Sequence, residues 1–269
     1  MKRTVENLLN EYEALQLHDI IDYNKFNEFS ITHHSTRIEG STLTENETRL
    51  LLDEGLTPNN RPLIHSLMVI DHFNALKFII ENIKTNSPIH VGFIQQINAH
   101  VMKQTGGAYN TPLGNVDASK GEYRKGNVSA GGHYFPSYNK VEAYLADFVK
   151  KLNDNLAKFT LKQDRLLISF AAHFDLVSIH PFYDGNGRTS RLLMNYIQLQ
   201  NNLPLAIVFS EDKTDYYNAI DNSRKENSIQ PFEDFMLAQY AKYLELEINK
   251  FKDKEKLITK TGSGFSIFF

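Results

Sequence analysis

The residues with the clearest capacity for chemistry lie between His180 and Arg191, in the order His-Pro-Phe-Tyr-Asp-Gly-Asn-Gly-Arg-Thr-Ser-Arg. An apolar run with helical spacing, residues 165–179, leads into this stretch, and another, residues 189–201, leads out of it. The proline and the two glycines between the runs interrupt helices and permit tight turns. The pattern therefore predicts a helix, a short glycine-rich loop and a second helix.

The side chains on this loop suit phosphate chemistry. Unpaired amides at the start of the second helix favour an anion, and Arg188 and Arg191 would share one face of its first turn. Two guanidiniums bind phosphate oxygens through forked pairs of donors. Asp184 is a hard oxygen ligand that suits Mg²⁺ beside phosphate oxygens, and His180 is suited to take a proton near neutral pH. The sequence predicts a phosphate-transfer site.

These residues resemble the signature of the Fic family, His-x-Phe-x-(Asp/Glu)-Gly-Asn-Gly-Arg-x-x-Arg, and fill all of its fixed positions. The resemblance implies transfer of a nucleoside monophosphate, most often AMP from ATP, to a hydroxyl of a target protein. It implies that His180 deprotonates that hydroxyl, which a Tyr, Thr or Ser would supply, and that Asp184 holds Mg²⁺. Phe182 would point into the core and anchor the loop.

The resemblance also implies how the nucleotide is held. The loop amides around Gly185, Asn186 and Gly187 would bind the α- and β-phosphates, and Arg188 and Arg191 would bind the β/γ end. A Tyr-Tyr pair of this family lies near the base, which places Tyr217 as a candidate for stacking on adenine. Packing alone explains one tyrosine of the Tyr216–Tyr217 pair equally well.

A second motif lies far upstream, in residues 33–40. Ser35 and Glu39 are four residues apart and would share one helix face, and Gly40 is a good helix terminator. The segment resembles the inhibitory helix of Fic proteins, Ser/Thr-x-x-x-Glu-Gly/Asn. That resemblance implies that Glu39 pairs with Arg191 in the γ-phosphate position, that Ser35 fixes the helix, and that the enzyme inhibits itself.

Residues 105–139 differ from the rest of the chain, because they are rich in Gly and Tyr and poor in helical periodicity. Short pieces around Tyr123–Arg124 and around His133, Tyr134 and Phe135 predict a hairpin. The segment resembles the Fic flap, whose edge pairs with the backbone of the target protein. We therefore assign His133, Tyr134 and Phe135 to a target-binding flap.

The other periodic segments predict helices. The predicted helices cover residues 1–32, 44–55, 63–83, 89–102, 140–156 and 231–257. Residues 203–209 predict an extended connector, and the terminal residues 262–269 predict either a strand or a self-association surface. The expected fold class is all-α, a Fic-type helical domain with a small β-hairpin flap. The expected parts are an N-terminal segment (1–60), a catalytic domain (61–245) and a C-terminal tail (246–269).

The composition limits the possible partners. The chain has 269 residues, a net charge of -3 and a pI of about 6.4, which argues against nucleic-acid or anionic-membrane binding. It has no Cys, which excludes disulfides and thiolate chemistry. The N-terminus lacks a signal-peptide core and no uninterrupted apolar run of membrane-spanning length stands out, so we expect a cytoplasmic protein.

Two further functions stay open at this stage. Some Fic proteins that carry an inhibitory helix remove AMP from a modified protein, and the sequence does not separate the two directions. The chain could also be a nucleotide-binding regulatory or interaction protein. The resemblance further implies a possible homodimer.

Overall fold

The structure, a computed structural model, describes residues 4–17, 23–83 and 87–261, with side chains described as far as residue 252. The helices are α1 (Val5–Ala14), α2 (Tyr23–Ile38), α3 (Glu45–Glu54), α4 (Leu63–Glu81), α5 (Val91–Val101), α6 (Val141–Lys158), α7 (Lys162–Ile179), α8 (Asn186–Gln200), α9 (Lys213–Glu226) and α10 (Gln230–Thr261). The strands are β1 (Ala108–Thr111), β2 (Gly114–Asp117), β3 (Ser129–Ala130) and β4 (His133–Tyr134). The predicted all-α class with a small hairpin flap is confirmed.

The core lies between α8 and the helices that surround it. Helix α8 packs against α7, α5, α4 and α2, and nearly all of its side chains are buried. One large hydrophobic cluster joins residues of α1 and α2 with residues of α4 to α10, so the first two helices share the core of the signature helices, whereas Leu51 of α3 lies in a second, smaller cluster. The arginines of α8 consequently lie inside the protein and depend on buried partners.

The N-terminal region differs from the single helix predicted over residues 1–32. Two helices, α1 and α2, are present, and residues 1–3 and 18–22 of the predicted range lie outside the described residues. Residues 33–38 of the motif are the last part of the long helix α2, which buries eight residues, among them Phe29 and Ile38, and Glu39 and Gly40 follow directly after its end. The motif is therefore fixed to the core by the helix that precedes it.

Glycines end α2 and α3 as the sequence predicts. Gly40 has φ 104°, and the amides of Gly40 and Ser41 donate to the carbonyls of Arg37 and Thr36. This is the paired bonding of a Schellman motif, which places Glu39 at the helix end. Helix α3 begins at a capping box and ends at Gly55 in the left-handed region.

Helix α4 has the length and apolar composition of a membrane-spanning segment, a feature that the sequence analysis did not predict. In this structure α4 packs against α2, α5, α3 and α8. Its buried residues include the polar Asp71 and His72. The carboxylate of Asp71 accepts amide protons from Gln104 and Thr105, which caps the end of α5 where the flap region begins.

The region between α5 and α6 contains two hairpins rather than the one predicted. Strand β1 pairs with β2, and β3 pairs with β4 at Ser129↔Tyr134 and Ala130↔His133. The predicted strand at Tyr123–Arg124 is wrong, because the buried guanidinium of Arg124 binds carbonyl groups of three loop residues. Residues 203–209 form the predicted connector without helix or strand. The predicted tail, residues 262–269, lies outside the described residues.

Candidate active site

The loop between α7 and α8 is held in shape by its own residues. His180 (φ 52°) and Gly185 (φ 79°) adopt left-handed backbone conformations that end α7 and begin α8. The amide side chain of Asn186 accepts from the Phe182 amide at 3.0 Å and donates to the Phe182 carbonyl at 2.9 Å. Phe182 is buried in the core, as predicted. The side chain of Asn186 therefore shapes the loop, and its backbone amide lies in the first turn of α8.

Arg188 is a buried cation with unpaired hydrogen-bond donors. Its Nη2 contacts Asp184 Oδ1 and Met102 Sδ, each at 3.3 Å. Its Nε and Nη1 are buried and have no protein partner among the described residues. A buried guanidinium with unpaired donors is costly unless an anion binds there. Together with the free amides at the start of α8, Arg188 forms an anion site.

Arg191 is also buried, but its donors are occupied. Its Nε donates to Ser35 Oγ at 2.9 Å, and its Nη2 donates to the Ser35 carbonyl at 3.0 Å and to Glu39 Oε1 at 2.7 Å. Its Nη1 lies 3.4 Å from the hydroxyl of Tyr216. The predicted pairing of Glu39 with Arg191 is therefore present in the structure, and Ser35, which was predicted to fix the helix, also binds Arg191.

The Glu39 carboxylate lies directly on the first turn of α8. A Cβ atom added to Gly187 would stand 2.6 Å from Glu39 Oε1, so only glycine lets the carboxylate approach this closely. Burial by itself raises the pKa of Glu39, but the guanidiniums of Arg191 and Arg188 outweigh this and lower it. The carboxylate is therefore charged at neutral pH and occupies a place suited to a phosphate oxygen.

His180 stands at the start of the loop as a neutral imidazole. Its ring stacks on Phe135 with centroids 3.8 Å apart and planes 16° apart. Burial, together with the charges of Arg124 and Arg224, lowers the pKa of His180 to about 4, although the hydrogen bond to Val177 acts in the opposite direction. Since Nδ1 donates to the Val177 carbonyl at 3.4 Å, Nε2 keeps a lone pair that can accept a proton.

Asp184 is the acidic group of the loop and is half exposed, at 54%. Its Oδ1 accepts from the Gly185 amide at 2.5 Å and from Arg188. Among the described residues, Oδ2 has no hydrogen-bond partner and is available to a cation. The described residues hold no cluster of three or more acidic or His side chains, so further metal ligands would come from a bound phosphate and water.

Of the predicted flap residues, one contacts His180 and another is exposed to solvent. Phe135 is buried against His180, whereas Tyr134 is 82% exposed on β4. His133 stacks edge-on against Phe135, with ring centroids 5.1 Å apart. The flap therefore touches the candidate base with one residue and presents its neighbour to solvent.

The two adjacent tyrosines of α9 differ in their exposure to solvent. Tyr216 is fully buried and bonds to His173 Nε2 at 2.9 Å. Tyr217 is 42% exposed, with its ring 5.2 Å from that of Tyr216. Burial, and after it the negative charge of Glu39, raises the pKa of Tyr217. The exposed Tyr217, rather than Tyr216, is therefore available to a ligand near Glu39.

Two residues that position the site were not assigned from the sequence. Arg124 donates from Nε to the His180 carbonyl at 2.7 Å and also binds the Gly126 and Pro136 carbonyls. It thereby joins the flap to the signature loop. Asn98 donates to the Asp184 carbonyl and to Thr189 Oγ1, both at 3.1 Å. Nothing in the local sequence around Asn98 indicates this role.

Comparison with known proteins identifies relatives of this fold and site. Residues 88–198 match the model of the Fic/DOC family. Protein adenylyltransferase fic-1 of Caenorhabditis briggsae is 30% identical over 98% of this chain, which covers 48% of that protein. The structure of residues 134–508 of Fic-1 from C. elegans has a TM-score of 0.76 and 26% identity, covering 93% of this chain and 71% of that one.

A Fic domain-containing signalling protein from Bacteroides thetaiotaomicron has the same fold, with a TM-score of 0.78, 24% identity and coverage of 97% and 99% of the two chains. The chain spans less than half the length of the curated relatives that it matches, between 40% and 48%. The family match covers the whole signature, and the helical fold around it agrees. The chain belongs to the Fic/DOC family.

Proposed function

We propose that the chain is a protein adenylyltransferase, which transfers AMP from ATP to a side-chain hydroxyl of a target protein. The matched curated relatives carry the name protein adenylyltransferase. The observation that carries the proposal is the arrangement around the loop. A neutral His180 precedes a helix N-terminus that lies beside a buried Arg188 with unpaired donors.

In the proposed reaction, the target hydroxyl gives its proton to Nε2 of His180 as its oxygen attacks the α-phosphorus. A bond forms between that oxygen and phosphorus, and the bond from the α-phosphorus to the bridging oxygen breaks, which releases pyrophosphate. Amides at the start of α8 and the guanidiniums of Arg188 and Arg191 stabilise the charge on the phosphates. Tyr217, exposed on α9, would stack on the base.

Asp184 would hold Mg²⁺ through Oδ2, and phosphate oxygens and water would supply the further ligands. When bound, Mg²⁺ neutralises negative charge on the phosphates of the leaving group. The chain positions Asp184 through its Gly185, Arg188 and Asn98 contacts. The exposure of this carboxylate and its free oxygen support the assignment.

The resting state would be inhibited by Glu39. Its carboxylate forms an ion pair with the Arg191 guanidinium and lies against Gly187. The γ end of ATP would bind in the same place. The flap of residues 133–135 would bind the backbone of the target protein beside its β4 edge and bring the hydroxyl to His180. The stacking of Phe135 on His180 supports this placement.

The test uses ATP labelled at the α-phosphate, with Mg²⁺ and a cell lysate as the source of targets. We expect label on protein with Glu39→Gly, little with the wild type, and none with Glu39→Gly/His180→Ala. Equal labelling by the double variant would refute the role of His180. Absence of label in every variant, together with release of AMP from a previously modified protein, would favour AMP removal instead.

A further inference from the structure

The β1–β2 hairpin, which the proposed mechanism does not use, lies against the signature loop through one aromatic pair. The rings of Tyr109 on β1 and Tyr183 in the loop stack with centroids 4.4 Å apart and planes 20° apart. Across the hairpin, Tyr109 pairs with Val116, which is fully buried and anchors the hairpin to the body of the protein. The ring of Tyr109 is therefore held in place from its own hairpin.

Tyr183 is confined by a second contact. A Cβ atom added to Gly126 would stand 2.9 Å from the Tyr183 hydroxyl, so the end of the Tyr183 side chain lies directly against the Gly126 backbone. Gly126 in turn offers its carbonyl to Arg124, which also binds the His180 carbonyl. The Tyr183 side chain is thus packed between two segments of the region that precedes α6.

Tyr183 directly precedes Asp184, the acidic residue of the loop. The Asp184 carbonyl accepts from Asn98, and its Oδ1 accepts from Gly185 and Arg188. These contacts hold the residue from its C-terminal side, and the Tyr183 ring is the corresponding contact on its N-terminal side. Burial and then the charge of Asp184 raise the pKa of Tyr109, which places Tyr109 within the field of that carboxylate.

We propose that Tyr109 is a positioning residue for the divalent cation that accompanies the nucleotide. Its ring holds Tyr183, and Tyr183 fixes the backbone from which the Asp184 carboxylate reaches the cation. The inference rests on the proposed function, because it presumes that a nucleotide and Mg²⁺ bind at this loop. Tyr109 is 36% exposed at the edge of the hairpin, so its replacement does not open the core.

The test measures ATP affinity by calorimetry, with Mg²⁺ and with a chelator, in a Glu39→Gly background. The quantity of interest is the Kd for ATP in chelator divided by the Kd for ATP with Mg²⁺. This ratio isolates the contribution of the cation to binding. We expect Tyr109→Ala to reduce this ratio about fivefold, the value of one aromatic pair at about 1 kcal/mol. The affinity in chelator stays as in the parent.

Two control variants separate positioning from general damage to the hairpin. Tyr109→Phe keeps the ring and should restore the ratio of the parent. Leu113→Ala removes a side chain that is 55% exposed at the tip of the same hairpin and should also leave the ratio unchanged. A hairpin that merely supports the fold would lower both affinities equally and leave the ratio constant.

An unchanged ratio in Tyr109→Ala would overturn the inference while leaving the proposed function intact. A Tyr109→Phe variant that behaves like Tyr109→Ala would refute the role of the stacked ring. A parent that binds ATP equally well with and without Mg²⁺ would refute the magnesium site and the inference together.

Discussion

Replacement of Glu39 by glycine should tighten ATP binding. In the resting protein the Arg191 guanidinium donates to Glu39 Oε1 at 2.7 Å, and a phosphate must displace this carboxylate to reach Arg191. A hydrogen bond to a charged group contributes about 1.5–3 kcal/mol. At 1.4 kcal/mol per factor of ten, removing the competing carboxylate should lower the Kd for ATP by about 10- to 100-fold.

The same replacement should make the unliganded protein less stable. Arg191 keeps its bonds to the Oγ and carbonyl of Ser35 and its contact with Tyr216, but it loses its ionic partner. Breaking a buried ion pair costs about 3–5 kcal/mol, and the remaining partners of Arg191 reduce this to about 2 kcal/mol. For a chain of this size that loss lowers Tm by about 5 °C.

Calorimetry of ATP binding and thermal unfolding of the unliganded protein measure the two effects. Glu54→Gly is a matched control, because Glu54 also directly precedes a helix-ending glycine, Gly55, and its side chain is exposed. The control should show the loss of stability that a glycine causes at a helix end, without any gain in ATP affinity. Opposite changes in stability and affinity are therefore expected only at residue 39.

One result would refute this reasoning directly. If Glu39→Gly lost stability but bound ATP no more tightly than the wild type, Glu39 would be a structural partner of Arg191 and not a competitor of the phosphate. A gain in affinity of the same size in Glu54→Gly would equally exclude the specific role of Glu39.

Four further outcomes follow from the geometry. In Glu39→Gly, label transfer measured against pH should rise through about pH 4 and stay level to pH 8, because the pKa of His180 is lowered to about 4; a rise centred near 6.5 would contradict the burial of that imidazole. Because the pKa of His180 is about 6.5 in the unfolded chain and about 4 in the folded protein, the unfolded chain binds a proton at His180 at higher pH than the folded protein does. His180 therefore lowers the free energy of unfolding as the pH falls from about 6.5 to about 4. In the Glu39→Gly background, Gly187→Ala should weaken ATP binding at least tenfold by calorimetry, since its methyl group would occupy the position 2.6 Å from where the carboxylate oxygen lies. Ser35→Ala should lower the free energy of unfolding in urea by about 1–3 kcal/mol, because Nε of the buried Arg191 loses its acceptor; a value near zero would show that water replaces the hydroxyl.

The sequence predicted the loop of the site well, because that loop is local. The order of His180, Asp184, the glycines and Arg188 lies within nine residues, and each residue type has a defined role in turn formation or phosphate binding. Helical periodicity on either side placed α7 and α8 to within a few residues. Local rules of capping likewise predicted α3 from its capping box and Gly55.

The region between α5 and α6 was predicted poorly, because its order comes from contacts that the local sequence does not reveal. Arg124 read as part of a strand, yet its guanidinium bonds to a carbonyl 56 residues away, and its backbone amide donates to the Pro181 carbonyl rather than to a neighbouring strand. The β1–β2 hairpin was missed because its turn, Pro112-Leu113, lacks the Asn-Gly or Asp-Gly pattern that marks tight hairpins.

The contact between Glu39 and Arg191 could be predicted from a sequence motif but not from local sequence rules. The residues are 152 positions apart, and helical spacing in α2 shows only that Ser35 and Glu39 share a face. The resemblance to a known inhibitory motif supplied the pairing, whereas the structure supplies its physical basis. Helix α2 is buried in the core through residues such as Phe29 and Ile38, so its end is held rigidly over α8. A carboxylate on a fixed helix end lies opposite a buried guanidinium without a large loss of side-chain freedom, and for this reason we expect one residue to compete with a phosphate.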